Sequence, residues 1–140
     1  MSRVLIVDDD RAIRELLRYA LEAEGYEVTV LCDGARVVET LEERPEDACV
    51  VLTDLMMPYV DGWEVCHRLR QRAGTLPPYR LALMTASGLP ADECPEEVHV
   101  LVRKPFELDK VLQLVAVLSA FGAELQTPYV MSLEQHAAAS

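Results

Sequence analysis

Residues that carry useful chemistry stand at the ends of short apolar runs in this chain of 140 residues. Val4-Leu5-Ile6-Val7 leads into Asp8-Asp9-Asp10, and Val50-Val51-Leu52-Thr53 leads into Asp54. Leu81-Ala82-Leu83-Met84 leads into Thr85, and the run from Val98 to Val102 ends at Arg103-Lys104-Pro105. Brought close together, Asp8, Asp9 and Asp54 would oppose one another's ionisation unless a cation neutralised them. Oxygen ligands of this kind suit Mg2+, and Mn2+ as well. A carboxylate beside such an ion can act as a nucleophile toward a phosphoryl group. Lys104 then offers a point charge to one phosphoryl oxygen, and Thr85 offers a hydroxyl to another. A lone acid at a strand end is usually a solvated loop residue. Acids on two strand ends, with a hydroxyl and a lysine on two others, argue for one site. Asp10 has no such role and is expected to cap the helix that follows, accepting from its orphan backbone N–H groups.

The elements that must position these residues follow from the pattern of apolar positions. Short apolar runs between helical segments read as buried parallel strands, here Arg3–Val7, Glu27–Leu31, Cys49–Thr53, Arg80–Met84 and Val98–Val102. Ile13, Leu16, Leu17, Ala20 and Leu21 repeat at helical spacing, with Gly25 as a stop signal. Val37, Val38 and Leu41 mark a second helix ending before Pro45, and residues 62–72 a third. Leu108, Val111, Leu112, Val115 and Leu118 mark the last helix. Strands alternating with helices imply βαβ units and a three-layer α/β sandwich. Ligands of open parallel sheets bind beyond the carboxyl ends of the strands, which is where the acids, the hydroxyl and the lysine all fall. The pattern covers residues 1–121 as one domain. It fades over residues 122–140, a tail too short for a second core and expected to be partly disordered.

Composition limits the function. The net charge of −11 argues against direct binding to nucleic acid. The cysteines Cys32, Cys49, Cys66 and Cys94 form no CxxC pair, and no histidine stands at finger spacing, so a zinc site is not expected. They read as small buried or half-buried thiols of a reducing compartment. No apolar run approaches the length of a membrane span, and the opening residues do not resemble a signal peptide. A soluble cytoplasmic protein with no membrane partner is the expectation.

The chain resembles the CheY-like receiver domains of bacterial two-component response regulators. The resemblance rests on Val4 to Asp9, on Leu52-Thr53-Asp54-Leu55-Met56-Met57-Pro58 with Asp61-Gly62, on Met84-Thr85-Ala86, and on Lys104-Pro105-Phe106. It implies a flavodoxin-like, five-stranded parallel sheet of order 2-1-3-4-5. It implies that Asp54 accepts phosphate from a phosphohistidine on a sensor histidine kinase or a histidine phosphotransfer protein. Asp8, Asp9 and Asp54 would hold Mg2+ together with the backbone carbonyl of Met56. Thr85 would swing toward the phosphoryl group, Lys104 would bind it, and the Lys104–Pro105 peptide would be cis. The small Ala86 would leave the site open. The domain would catalyse only its own phosphorylation and dephosphorylation, and would switch its contacts with a downstream protein.

Two features depart from the family pattern. Leu101 occupies a position, before the lysine, where the family commonly has an aromatic residue. Only residues 86–103 separate Thr85 from Lys104, and they include Gly88, Pro90 and Pro95. The fourth helix, between the fourth and fifth strands, is therefore expected to be short or irregular, and movement on phosphorylation is expected to start in the loop Ala86–Pro95. Two other functions compete. One is a receiver fold that serves only as an interaction module without phosphorylation. The other is a haloacid-dehalogenase-type phosphatase, for which Asp8-Asp9-Asp10 has the acid-x-acid spacing. That enzyme would need a strand-end acid after the lysine, where only Glu107 and Asp109 follow.

Overall fold

The computed structural model describes residues 3–86 and 90–120. Five strands, β1 (Arg3–Val7), β2 (Glu27–Leu31), β3 (Cys49–Asp54), β4 (Tyr79–Thr85) and β5 (Val100–Arg103), pair in the order β2-β1-β3-β4-β5. Every pairing is parallel. Among the described residues, four α-helices connect and close the sheet: α1 (Arg11–Ala23), α2 (Val37–Glu42), α3 (Gly62–Gln71) and α4 (Leu108–Ala120). The order is the one implied by the resemblance.

Burial on both faces explains why the strands are apolar throughout rather than alternating. Leu5, Val7, Val51, Leu81, Leu83 and Leu101 point to one face and pack with Val38, Leu41, Val65 and Leu69 of α2 and α3. Val4, Ile6, Val50, Leu52, Ala82 and Met84 point to the other, against Leu17 and Leu21 of α1 and Val111 and Leu118 of α4. β2, at the sheet edge, is the one strand half-exposed along its length.

Several boundaries shift from the sequence expectation. β3 and β4 each run on to include the chemical residue at their end, Asp54 and Thr85. β5 begins at Val100 instead of Val98, because a turn folds the chain there. The Val98 N–H donates to the Pro95 carbonyl at 3.1 Å, and ladder pairing with β4 starts at Ala82 opposite Val100. α3 ends at Gln71, with Arg72 as its cap. Asp10 caps α1 as expected, its carboxylate accepting from the N–H groups of Ala12 at 2.9 Å and Ile13 at 3.3 Å. Gly25 ends that helix region at φ +96°, a conformation that favours glycine. Among the described residues, the β4–β5 connection contains one 3-10 turn, Ala91–Glu93, and no α-helix, in line with a shortened fourth helix. The tail 122–140 and Gly88 lie outside the described residues.

Candidate functional site

Strand register brings the chemical residues together. β1 ends with Val7 opposite Thr53, so Asp8 emerges level with Asp54. β4 ends with Thr85 opposite Arg103, so Lys104 emerges just beyond it. Backbone hydrogen bonds continue the ladder past the strand ends and fix these positions. Asp8 N–H donates to the Leu31 carbonyl at 3.1 Å, Leu55 N–H to the Met84 carbonyl at 2.8 Å, and Lys104 N–H to the Thr85 carbonyl at 2.8 Å. The Lys104–Pro105 peptide is cis.

One carboxylate oxygen from each of Asp8, Asp9 and Asp54 lies within 4.8 Å of the other two. Asp8 is fully buried, Asp54 nearly so, and Asp9 exposed. Lys104 Nζ stands 3.4 Å from Asp8 Oδ2 and 3.4 Å from Asp54 Oδ1. Both contacts are longer than the roughly 2.7–2.9 Å of a tight charge-assisted hydrogen bond, so the ammonium spans the two acids without closing on either. Asp8 Oδ1 is used internally, accepting from Asp10 N–H at 2.9 Å. Thr85 is buried at the end of β4. Met56 follows Asp54 in the β3–α3 connection with its side chain exposed. Ala86 is exposed beside Thr85.

Three carboxylates against one ammonium leave an excess of negative charge, and the electrostatics of Asp54 reflect it. Burial holds its carboxyl above the usual carboxylate range. Lys104 opposes that shift, while Asp8 and Asp9 add to it. A cluster of hard oxygen donors with a charge deficit of this size fits a divalent cation such as Mg2+ or Mn2+.

Arg14 carried no signal in the sequence, and Gly62 stood there only as part of the Asp61-Gly62 motif, without a structural role. Arg14 Nη1 donates to the Asp8 backbone carbonyl at 2.8 Å, steadying the turn that presents Asp8. Helical spacing puts Arg14 one turn after Asp10, but the contact to Asp8 depends on how the loop folds back. Gly62 opens α3 against the backbone that follows the acceptor, donating its N–H to the Leu55 carbonyl at 2.8 Å. A Cβ there would come within 2.9 Å of Leu55 Cα and 3.0 Å of the Asp54 carbonyl oxygen. A side chain at Gly62 would thus displace the strand end that carries Asp54.

Comparison with known proteins agrees with this geometry. A "response regulator MprA" from Mycobacterium leprae is 38% identical over 123 residues, covering 83% of this chain and 50% of that protein. The protein of the same name from Mycobacterium sp. (strain KMS) is 37% identical over 123 residues, with the same coverage. The chain spans about half the length of these relatives. Among solved structures, the response regulator protein TrrA from Thermotoga maritima, in complex with Mg2+ and BeF, superposes with a TM-score of 0.69 at 29% identity. That alignment covers 84% of this chain and 99% of TrrA. The family model for the response regulator receiver domain matches residues 4–116, so the chain belongs to the receiver-domain family of two-component signalling.

Proposed function

We propose that this receiver domain takes a phosphoryl group onto Asp54, in a metal-dependent transfer from a phosphohistidine. The donor is a sensor histidine kinase or a histidine phosphotransfer protein of the cytoplasm. The supporting observation is the convergence of Asp8, Asp9 and Asp54 within 4.8 Å, with Lys104 Nζ 3.4 Å from both Asp8 and Asp54.

Asp54 supplies the nucleophile: one carboxylate oxygen forms the new O–P bond as the N–P bond of the donor breaks, and the imidazole leaves with the electron pair. Asp8, Asp9 and Asp54, with the Met56 backbone carbonyl, would hold the cation. A bound Mg2+ supplies neutralisation of charge on the phosphoryl oxygens and orients them. Lys104 gives up its loose hold on Asp8 and Asp54 to bind a phosphoryl oxygen. Thr85 offers its hydroxyl to another, and this gives the phosphorylated state a contact that the free state lacks. A ligand-driven shift requires such a differential contact. Thr85 is joined through its carbonyl to Lys104 and leads directly into the β4–β5 connection, so the signal has a route to a downstream protein.

Incubation with acetyl phosphate and Mg2+ tests this reading. One acid-stable, base-labile phosphoryl group per chain is expected, lost on chelation of the metal and in Asp54→Asn. Labelling that survives undiminished in Asp54→Asn would refute it.

A further inference from the structure

The residues after Asp54 form a closed loop, and one contact from another segment holds it. The Gly62 N–H closes its base on the Leu55 carbonyl at 2.8 Å. At its tip the Val60 N–H donates to the Pro58 carbonyl at 2.9 Å, which centres a three-residue turn on Tyr59. Tyr59 stands at φ +67°, the only non-glycine residue at positive φ among the described residues. A three-residue turn of this hand is rare and strained, and tyrosine meets a Cβ penalty there that glycine avoids. The Tyr59 side chain is 95% exposed, so its own packing does not offset the strain. The holder lies in the β2–α2 connection. Asp33 accepts from the Ala35 N–H at 2.7 Å and bends the chain, and the buried Gly34 donates its N–H to the Val60 carbonyl at 3.1 Å. A Cβ at Gly34 would run into the Val65 side chain and come within 2.9 Å of Val60 Cγ1 and 3.0 Å of the Val60 carbonyl oxygen. Only glycine lets the two connections approach this closely. Leu55, Met57 and Val60 are buried in the core layer on the α3 side. Met56 is therefore held between two anchored neighbours, with the Gly34 clamp closing the far side of the loop.

We propose that Gly34 is a positioning residue for the cation: by holding the turn at Tyr59 through the Val60 carbonyl, it fixes the segment that supplies the Met56 carbonyl. The inference rests on the metal-dependent reading of the Asp54 site. Strained backbone persists where its surroundings over-determine it, and such places gather at functional sites. With the clamp weakened, Tyr59 relaxes toward negative φ, the peptide planes on either side of it turn, and the Met56 carbonyl loses its set position. Coupling between two sites is reciprocal. An ion bound at the acids must therefore tighten the hydrogen bond from Gly34 to Val60.

Calorimetric titration of the full chain with Mg2+ alone tests this. Gly34→Ala should raise the Mg2+ dissociation constant by about five-fold or more. Leu118→Ala, a core truncation on the opposite face of the sheet, lowers stability too but should leave the constant within about two-fold of wild type. Tyr59→Gly on the Gly34→Ala background should regain part of the lost affinity, because glycine adopts a positive φ without a clamp. An unchanged constant in Gly34→Ala, or an equal rise in Leu118→Ala, would overturn the proposal. A double variant that binds no better than Gly34→Ala would overturn the part played by the turn. If Gly34→Ala does not fold, hydrogen exchange of the wild type decides. Mg2+ should slow the Gly34 amide several-fold more than the neighbouring Ala35 amide, whose acceptor is Asp33, and equal slowing would overturn the proposal. A wild type that binds no Mg2+ would sink the phosphoacceptor reading and this proposal with it. A wild type that binds Mg2+ beside an unaffected Gly34→Ala would sink the proposal alone.

Discussion

At the carboxyl end of the sheet, Asp8, Asp9 and Asp54 share the single ammonium of Lys104, held at 3.4 Å from two of them. At the amino end, a buried cation meets a full set of oxygens. The Arg3 guanidinium donates to the carbonyls of Thr40 at 2.7 Å, Asp47 at 3.3 Å and Arg44 at 3.4 Å. Around it, Arg44 pairs with Glu27 and Asp47, each at 2.7 Å, and Arg72 pairs with Glu42 at 2.9 Å. At the amino end Arg3, Arg44 and Arg72 find their partners within the chain, and at the other end three carboxylates outnumber the ammonium between them. Local rules of charge pairing are broken where ligands bind and kept where they do not.

The largest effect on stability is expected at the satisfied end. Arg3→Met keeps much of the aliphatic stem but strips the carbonyl of Thr40 in α2, and those of Arg44 and Asp47 beyond it, of their donor. The cost should be about 2–3 kcal/mol, read as a lower denaturation midpoint with an unchanged slope. Arg3→Lys should recover only part of this, because an ammonium cannot reproduce the fork of the guanidinium. Full recovery by lysine would mean that charge alone, rather than the geometry of the donors, holds this end.

The unsatisfied end should respond to the cation. At Mg2+ one hundred times its dissociation constant, linkage predicts about 2.7 kcal/mol of stabilisation. Thermal melts with and without Mg2+ measure it, and Asp9→Ala should lose most of the shift. Asp54→Asn should do two things at once. It should shrink the Mg2+ effect, and it should stabilise the metal-free protein by roughly 1 kcal/mol, since a neutral isostere removes a carboxylate that burial and its neighbours disfavour. A metal-free Asp54→Asn less stable than the wild type would show that the Lys104 contact outweighs the crowding.

The same contrast explains what the sequence disclosed. The site's residues were legible because each ends an apolar run, and parallel pairing must bring such ends to one edge. Asp54 and Thr85 could be placed without knowing the exact last residue of β3 or β4. The start of β5 was not legible: Val98 and Val100 are both buried valines, and only the Pro95–Val98 turn decides which one pairs with β4. Arg3 gave no signal either. Its partners lie far along the chain at residues 40–47, and a lone arginine before a strand is ordinarily a solvated residue.

The smallest expected effect also belongs to the amino end, and it is a pH dependence. His99 accepts the Leu81 N–H on Nδ1 at 3.0 Å while its own backbone N–H donates to the Leu81 carbonyl at 2.8 Å. Burial, helped by the Arg80 guanidinium, pushes its pKa down to about 4, against about 6.5 in an unfolded chain. A proton on Nδ1 would turn the acceptor into a second donor facing the Leu81 N–H. The unfolded chain therefore binds more protons between pH 6.5 and 4. His99 contributes its full stability above pH 6.5, and that contribution drains away as the pH falls toward 4. Part of the ring reaches solvent, so screening reduces the loss to about 1 kcal/mol over that window. His99→Gln retains an acceptor but does not titrate. The difference in unfolding free energy between wild type and His99→Gln should be flat above pH 6.5 and should move in favour of the variant below it. A difference that stays constant from pH 7 to pH 4.5 would show that His99 titrates alike in both states, and that this end of the sheet is less dry than its geometry implies.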